Sequence, residues 1–179
     1  MHMDELISQF LESINPHINK QDTAIIIVGD HGEAFWEKGF WGHAKPDMYN
    51  FLIDVPLVFY LPGVQKEFSH TTHTDLMVTL LDYLGVEESF LTTYMTGQSL
   101  LKDQKKASFA WATLFPYCNK QAILSYQDKK FWLDLAHNKK SISINKITDL
   151  NDSEIKYDLG EKLKKEIETT FFNQYLKFY

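Results

Sequence analysis

Apolar residues recur at helical spacing over residues 4–14, where Leu6, Ile7, Phe10, Leu11 and Ile14 share one face. Asn15-Pro16 then ends that helix, because proline disfavours helical geometry in the residue before it. At residues 24–28 the pattern becomes a continuous apolar run, Ala-Ile-Ile-Ile-Val. Such a β-branched run predicts a strand buried on both faces, as in a parallel sheet flanked by helices. Residues 55–61 predict a second buried strand, closed by Pro62-Gly63. Between the two, residues 30–50 mix charges, aromatics and glycines without a clean period and read as an ordered loop. Leu76, Met77, Leu80, Leu81 and Leu84 then form a helical stripe over 75–84. Thr74 or Asp75 is placed to cap its start and Gly85 its end.

The second half has a different rhythm. Short apolar or alternating runs at 107–115, 121–126, 130–135 and 141–147 predict an antiparallel meander. Gln127-Asp128-Lys129 and Asn138-Lys139-Lys140 separate the later runs as turns. Residues 160–179 predict an amphipathic helix with Leu163, Ile167, Phe171, Tyr175 and Phe178 on one face. The division expected is a core piece over 4–105 and a small sheet plus helix over 106–179. Met1-His2-Met3 reads as a cloning scar ahead of it.

Composition narrows the classes. The 179 residues carry 18 Lys+Arg against 24 Asp+Glu, for a net charge of −6. That balance argues against nucleic-acid binding, which needs clustered cations. Every one of the cations is lysine, so the chain has no guanidinium fork for a phosphate or sulfate. A single cysteine, Cys118, excludes an internal disulfide and any multi-cysteine zinc site, and reads as a core or edge thiol. No apolar run approaches the roughly 18 residues of a membrane span. The start has no signal-like pattern, and the chain itself is expected to be soluble.

The chemistry-bearing stretch is Gly29-Asp30-His31-Gly32-Glu33, directly after the first predicted strand. Ligands gather at the carboxyl ends of strands in open α/β sheets. Asp30 and His31 offer one hard oxygen and one imidazole nitrogen, a pair suited to a divalent cation. Equally, Asp30 can cap a turn and His31 can be an ordinary half-buried polar residue. His43 follows twelve residues after His31, a loop length that can return it to the same place. Glu33 reads as a carboxylate that starts a helix or braces the loop. Phe35, Trp36, Phe40 and Trp41 either line a pocket or pack the loop. His73 precedes a helix, and His17, His70 and His137 are expected to be solvated.

Taken together, TAIIIVGDHGEAFWEKGFWGHA, VPLVFYLPG and HTDLMVTLLDYLG resemble the carboxyl-terminal part of the sulfatase family, within the alkaline phosphatase superfamily. Thr148-Asp149-Leu150-Asn151-Asp152-Ser153-Glu154 loosely resembles the family's closing segment. The nearest in appearance are bacterial membrane-anchored sulfatase-like proteins and phosphoglycerol or phosphoethanolamine transferases. The resemblance implies part of an α/β/α sandwich followed by a small antiparallel sheet and a C-terminal helix. It implies that Asp30 and His31 bind the family's divalent metal. It implies that His43 contacts the anionic ester or a second metal, with Trp41 beside the substrate. The ion would be Ca²⁺ or Mg²⁺ in a sulfatase, Zn²⁺ or Mn²⁺ in a phosphotransferase. The family's nucleophile and first metal carboxylate lie upstream, so the resemblance implies a fragment inactive alone, acting on a sulfate or phosphate ester only within its parent. That parent would be periplasmic or extracytoplasmic and anchored by an upstream segment. A non-catalytic sulfatase-like binding module is the competing class. The exposed sheet edge of such a fragment predicts self-association.

Overall fold

The computed structural model describes residues 2–43, 48–102, 107–113, 120–135 and 142–175. In chain order they form α1 (His2–Ile14), β1 (Ile25–Val28), β2 (Ala34–Phe35), β3 (Trp41–Gly42), α2 (Asn50–Ile53) and β4 (Leu57–Tyr60). Then follow α3 (His73–Tyr83), α4 (Glu88–Tyr94), β5 (Ala107–Thr113), β6 (Lys120–Tyr126), β7 (Lys129–Leu135), β8 (Ile142–Asp149) and α5 (Glu161–Tyr175). This is a mixed helix-and-sheet protein of the α/β class with small antiparallel sheets. Cys118, His137, Phe178 and the turn at 138–140 lie outside the described residues, as do the side chains of Phe171 and Tyr175.

The chain divides into two compact units. The first comprises Met1–His31 and Val55–Lys66. Its α1 carries Asp4 and Glu5 in the first turn, where their charges suit a helix N-terminus, and gives way at Asn15–His17 to a 3-10 turn containing Pro16. His2 and Met3 continue the helix instead of standing apart from it. The two apolar runs pair with each other: Ile25 faces Tyr60, and Val28 faces Leu57. The pairing is antiparallel, however, and neither strand is buried on both faces. β4 alternates half-buried Leu57 and Phe59 with exposed Val58 and Tyr60. Two strands alone leave both sheet faces partly open, and a uniform apolar run carries no mark of strand direction.

The second unit comprises Gly32–Asp54 and Glu67–Tyr179. It holds the expected meander, a four-stranded sheet in the order β5-β6-β7-β8. Gln127, at φ +55°, and Asp128 make a two-residue hairpin between Tyr126 and Lys129, whose strands need a left-handed turn residue there. Alternation sorts the strands' side chains. Ala122, Leu124, Phe131 and Leu133 point to one face, where Leu163 and Ile167 of α5 complete the core. Ile123 and Trp132 point to the other and pack with Met48, Tyr49 and Ile53. Both faces of the meander are therefore covered, one by α5 and one by the segment around α2.

The same segment is tied to the sheet by polar groups. Asp152 accepts the Asn50 backbone N–H at 2.7 Å and forms a buried ion pair with Lys130 at 2.9 Å. Asn50 Nδ2 donates to the Leu150 carbonyl at 2.6 Å. Burial pushes the neighbouring Asp54 carboxyl above its ordinary pKa; Lys130 opposes that shift and Asp152 reinforces it.

The start of α3 corrects one expectation. The N-cap is Thr72, not Thr74 or Asp75. Asp75 stands three residues on and its carboxylate accepts the Thr72 N–H at 2.8 Å, as in a capping box. The other Asp75 oxygen accepts the Gln98 N–H at 2.8 Å. Gly97, at φ +97°, lets the chain pass: a Cβ there would lie 2.6 Å from the Thr74 carbonyl oxygen. α4 and α2 are short helices that the apolar pattern did not mark.

Candidate functional site

The candidate residues start where β1 ends. Gly29 N–H donates to the Pro56 carbonyl at 3.2 Å, which carries the antiparallel ladder one step past Val28. Asp30 then folds back on its own chain, with Oδ1 accepting the His31 backbone N–H at 2.9 Å. The second carboxylate oxygen stands 3.7 Å from His31 Nε2. Both side chains are exposed, Asp30 more so than His31. The strand-end turn thus overrides the alternation that would send adjacent side chains to opposite faces.

Gly32 is required by close approach. Its N–H donates to the Leu52 carbonyl at 2.8 Å, and a Cβ there would lie 2.0 Å from the Phe51 carbonyl oxygen. The loop expected over 30–50 contains a small hairpin. β2 and β3 pair Ala34 with Gly42 and Phe35 with Trp41. Extending that register by one position sets Glu33 opposite His43, and their side chains meet at 2.8 Å between Oε2 and Nδ1. An ionised carboxylate only accepts, so His43 Nδ1 is the donor of this hydrogen bond. A carboxylate that fixes an imidazole in this way is a common orienting device. Glu33 is therefore the loop-bracing carboxylate, and its brace is on His43. The apolar pattern missed the hairpin because each of its strands is two residues long.

The other sequence candidates are placed as follows. Trp41 lies in β3 with its ring exposed, next to Phe35 and Trp36. Phe40 and Tyr49 are ring neighbours at 6.2 Å. His73 opens α3 directly after its cap. His17 ends the 3-10 turn after α1, and His70 has φ +52°. Among the described residues, no helix is long and apolar enough to cross a membrane.

The class is an α/β protein bearing two carboxylate–imidazole pairs, Asp30 with His31 and Glu33 with His43. Comparison with known proteins shows what the chain resembles. Residues 1–86 match the Sulfatase family model. The choline-sulfatase of Rhizobium meliloti (strain 1021) is 26% identical over 102 residues, covering 56% of this chain and 20% of the relative. A candidate sulfatase from Bacteroides thetaiotaomicron shares the fold at a TM-score of 0.56 and 17% identity, over 82% of this chain and 34% of that one. A second structure, from work on a glycosaminoglycan-metabolism locus of the same organism, matches at a TM-score of 0.60 and 14% identity. It covers 97% of this chain and 40% of the other. The chain thus spans between a fifth and two fifths of the length of these relatives. Its similarity to the sulfatase family lies over its first 86 residues.

Proposed function

We propose that this chain is the carboxyl-terminal part of a metal-dependent hydrolase of sulfate esters and holds part of its active site. The observation that carries this reading is the strand-end pair Asp30 and His31, inside sulfatase-family sequence. Their donor atoms are 3.7 Å apart. Two ligands each about 2.0–2.2 Å from one ion are roughly 3–3.5 Å apart, so a small rotation of either side chain fits the pair to a divalent cation. An oxygen and an imidazole nitrogen suit Zn²⁺ or Mn²⁺ and accept Ca²⁺ or Mg²⁺ when further oxygens are supplied.

When bound, such a cation supplies Lewis-acid polarisation of the ester oxygens. The chain's own groups do the rest of what is proposed for it. His31 and Asp30 hold their donor atoms at an exposed strand end. Glu33 keeps the His43 ring in one orientation through Nδ1. His43 hydrogen-bonds the anionic ester or gives a proton to the leaving oxygen. Trp41 forms a wall against the rest of the substrate. The nucleophile comes from polypeptide upstream of Asp4, so the chain alone is inactive. The matched relatives are sulfatases, which favours sulfate over phosphate transfer. The parent is proposed to work outside the cytoplasm, anchored upstream.

The test is release of sulfate from an aryl sulfate by the parent enzyme, set against release of phosphate from the matching phosphate ester. Asp30→Asn and His31→Ala are expected to lower kcat/KM by about a thousandfold, the several kcal/mol of charge stabilisation a metal supplies. Full activity in both variants, or preference for the phosphate ester, would refute the reading.

A further inference from the structure

The segment 148–154, which the sequence likens to a closing stretch of the family, takes no part in the reaction proposed above. Its turn nevertheless reaches the loop that carries Glu33 and His43. Local bonds set its shape. Asp149 Oδ1 accepts the N–H groups of Asn151 and Ser153 at 2.9 and 2.8 Å, and the Asp149 N–H donates to the Ser153 carbonyl at 2.9 Å. Asp152, at the tip, has φ +65°, a left-handed conformation that aspartate adopts more readily than most residues. Its side chain is turned inward and only 6% exposed. The two carboxylate oxygens are divided between two elements. Oδ1 accepts Lys130 Nζ of β7 at 2.9 Å, and Oδ2 accepts the Asn50 N–H that opens α2 at 2.7 Å. Asn50 Nδ2 adds a bond to the Leu150 carbonyl of the same turn at 2.6 Å.

From Asn50 the ties run on to the site, all within the second unit. Leu52 accepts the Gly32 N–H at 2.8 Å, and Gly32 leads directly into Glu33. Tyr49 meets Phe40, just before β3, at 6.2 Å between ring centroids, and Trp132 of β7 at 5.2 Å. Lys38, in the turn of the hairpin, lies over the Tyr49 ring at 5.8 Å from its centroid. A hairpin whose two strands are two residues each does not hold its own shape in water, so its geometry comes from what it rests on. It rests on residues 49–52, and these rest on Asp152. Stability does not account for the charges there, because a buried ion pair gains little over packed apolar side chains of the same size. What the pair adds is direction, since one carboxylate must satisfy β7 and α2 at once. We propose that Asp152 and Lys130 are positioning residues for His43, holding residues 49–52 so that the hairpin keeps the His43 ring on Glu33. Only the turnover arm of the test rests on the role proposed above for His43; the spectroscopic arm does not.

The experiment compares two double variants of the whole chain. The first, Lys130→Met with Asp152→Leu, removes both charges together, so that neither is left buried alone, and takes away the acceptor for the Asn50 N–H. The second, Lys130→Met with Asp152→Asn, removes the same charges but keeps an acceptor oxygen. One readout is the His43 tautomer, from long-range ¹H–¹⁵N correlations at about pH 8.5, where a free imidazole is neutral. The other is hydrogen exchange at the Gly32 amide. The unaltered chain and the second variant are expected to carry the His43 proton on Nδ1. The first variant, folded, should show the tautomer mixture of a free imidazole and exchange the Gly32 amide at least about tenfold faster. In the parent enzyme it should lower kcat/KM by about tenfold to a hundredfold, the scale of a misplaced group, and the second variant should restore most of that. Asn50→Pro covers the case in which the first variant does not fold. It removes the N–H itself, suits the first position of a helix, and follows Tyr49, whose φ −69° and ψ 160° are what a following proline requires. The same change of tautomer is expected. His43 still protonated on Nδ1 in the folded first variant or in Asn50→Pro, or equal losses in the two double variants, would overturn the proposal. So would loss of the fold in both the first variant and Asn50→Pro, which would make the pair a requirement of folding and not of aim. A changed tautomer together with no sulfate release by the unaltered parent would instead sink the sulfate-ester reading and leave this one standing.

Discussion

Residue identity decides the site most sharply at Gly32. The sequence marks it as a glycine in a Gly-Asp-His-Gly run, which suggests a tight turn. The structure adds a steric reason, since its own φ is ordinary and the constraint comes from the Phe51 carbonyl beside it. Gly32→Ala is expected to destabilise the protein by more than about 3 kcal/mol, because backbone, not a flexible side chain, must move out of the way. Gly39→Ala is the comparison. It sits at φ +75° with open space around it, so its cost is only the left-handed conformation, about 1–2 kcal/mol. Urea unfolding of both variants checks the order; equal losses would show that the loop relaxes freely around residue 32. Asp30, His31 and His43 were legible as candidates from residue type and spacing alone. The partnership of Glu33 with His43 was not, because it follows from the hairpin register, and no alternating pattern as short as two residues announces a strand.

At the scale of elements, long periodic segments were read correctly and short ones were not. The stripes of α1, α3 and α5 and the runs of the meander all became elements, since each is long enough for its period to be written in the sequence, although the stripe of α1 buries no residue. α2, α4 and the strands of the β2–β3 hairpin are only two to seven residues long, too short to show a period in the sequence. The join between α3 and the loop before β5 shows how strong local ties are. Asp75, fully buried, serves the N–H groups of both Thr72 and Gln98. Asp75→Ala strands two donors, and at about 1–3 kcal/mol for each the loss should reach roughly 2–6 kcal/mol. Asp75→Asn keeps one acceptor oxygen and should cost about half as much. Thermal unfolding of the pair measures this, and an alanine variant as stable as the parent would show that water replaces the carboxylate. Asp54, at the end of α2, works in the opposite sense. Its carboxyl pKa is raised in the folded chain, so the native state binds more protons than the unfolded one. Stability therefore falls as pH rises from the ordinary aspartate value of 3.8 through the raised one. Asp54→Asn should raise Tm at pH 7, and the gain should vanish by about pH 3–4. A variant that gains nothing at pH 7 would indicate that Lys130 compensates the charge in full.

For the whole molecule, the decisive quantity is how little the first unit buries. Among its described residues Leu61 is buried, while Leu6, Phe10, Val28, Val58 and Tyr60 are exposed. Register explains part of this surface. Ile25 faces Tyr60 and Ile27 faces Val58, and directly opposed residues share a face in an antiparallel pair. One side of the sheet thus gathers Ile25, Ile27, Val58 and Tyr60, with both strands standing at an edge of their two-stranded sheet. Edges and apolar faces of this kind recruit further chains. The expected outcome is self-association of the chain, with sedimentation coefficients that rise over a tenfold increase in concentration. Val58→Lys, at a position already 55% exposed, should return the protein to monomer without loss of folded signal. The lysine stem still fits along the sheet while its ammonium stays in water and opposes a second apolar face. A clean monomer at high concentration would show that the exposed residues of this unit are tolerated in water as they stand. Association unchanged by Val58→Lys would move the contact to another surface, with Phe10 on α1, 60% exposed, the next residue to substitute.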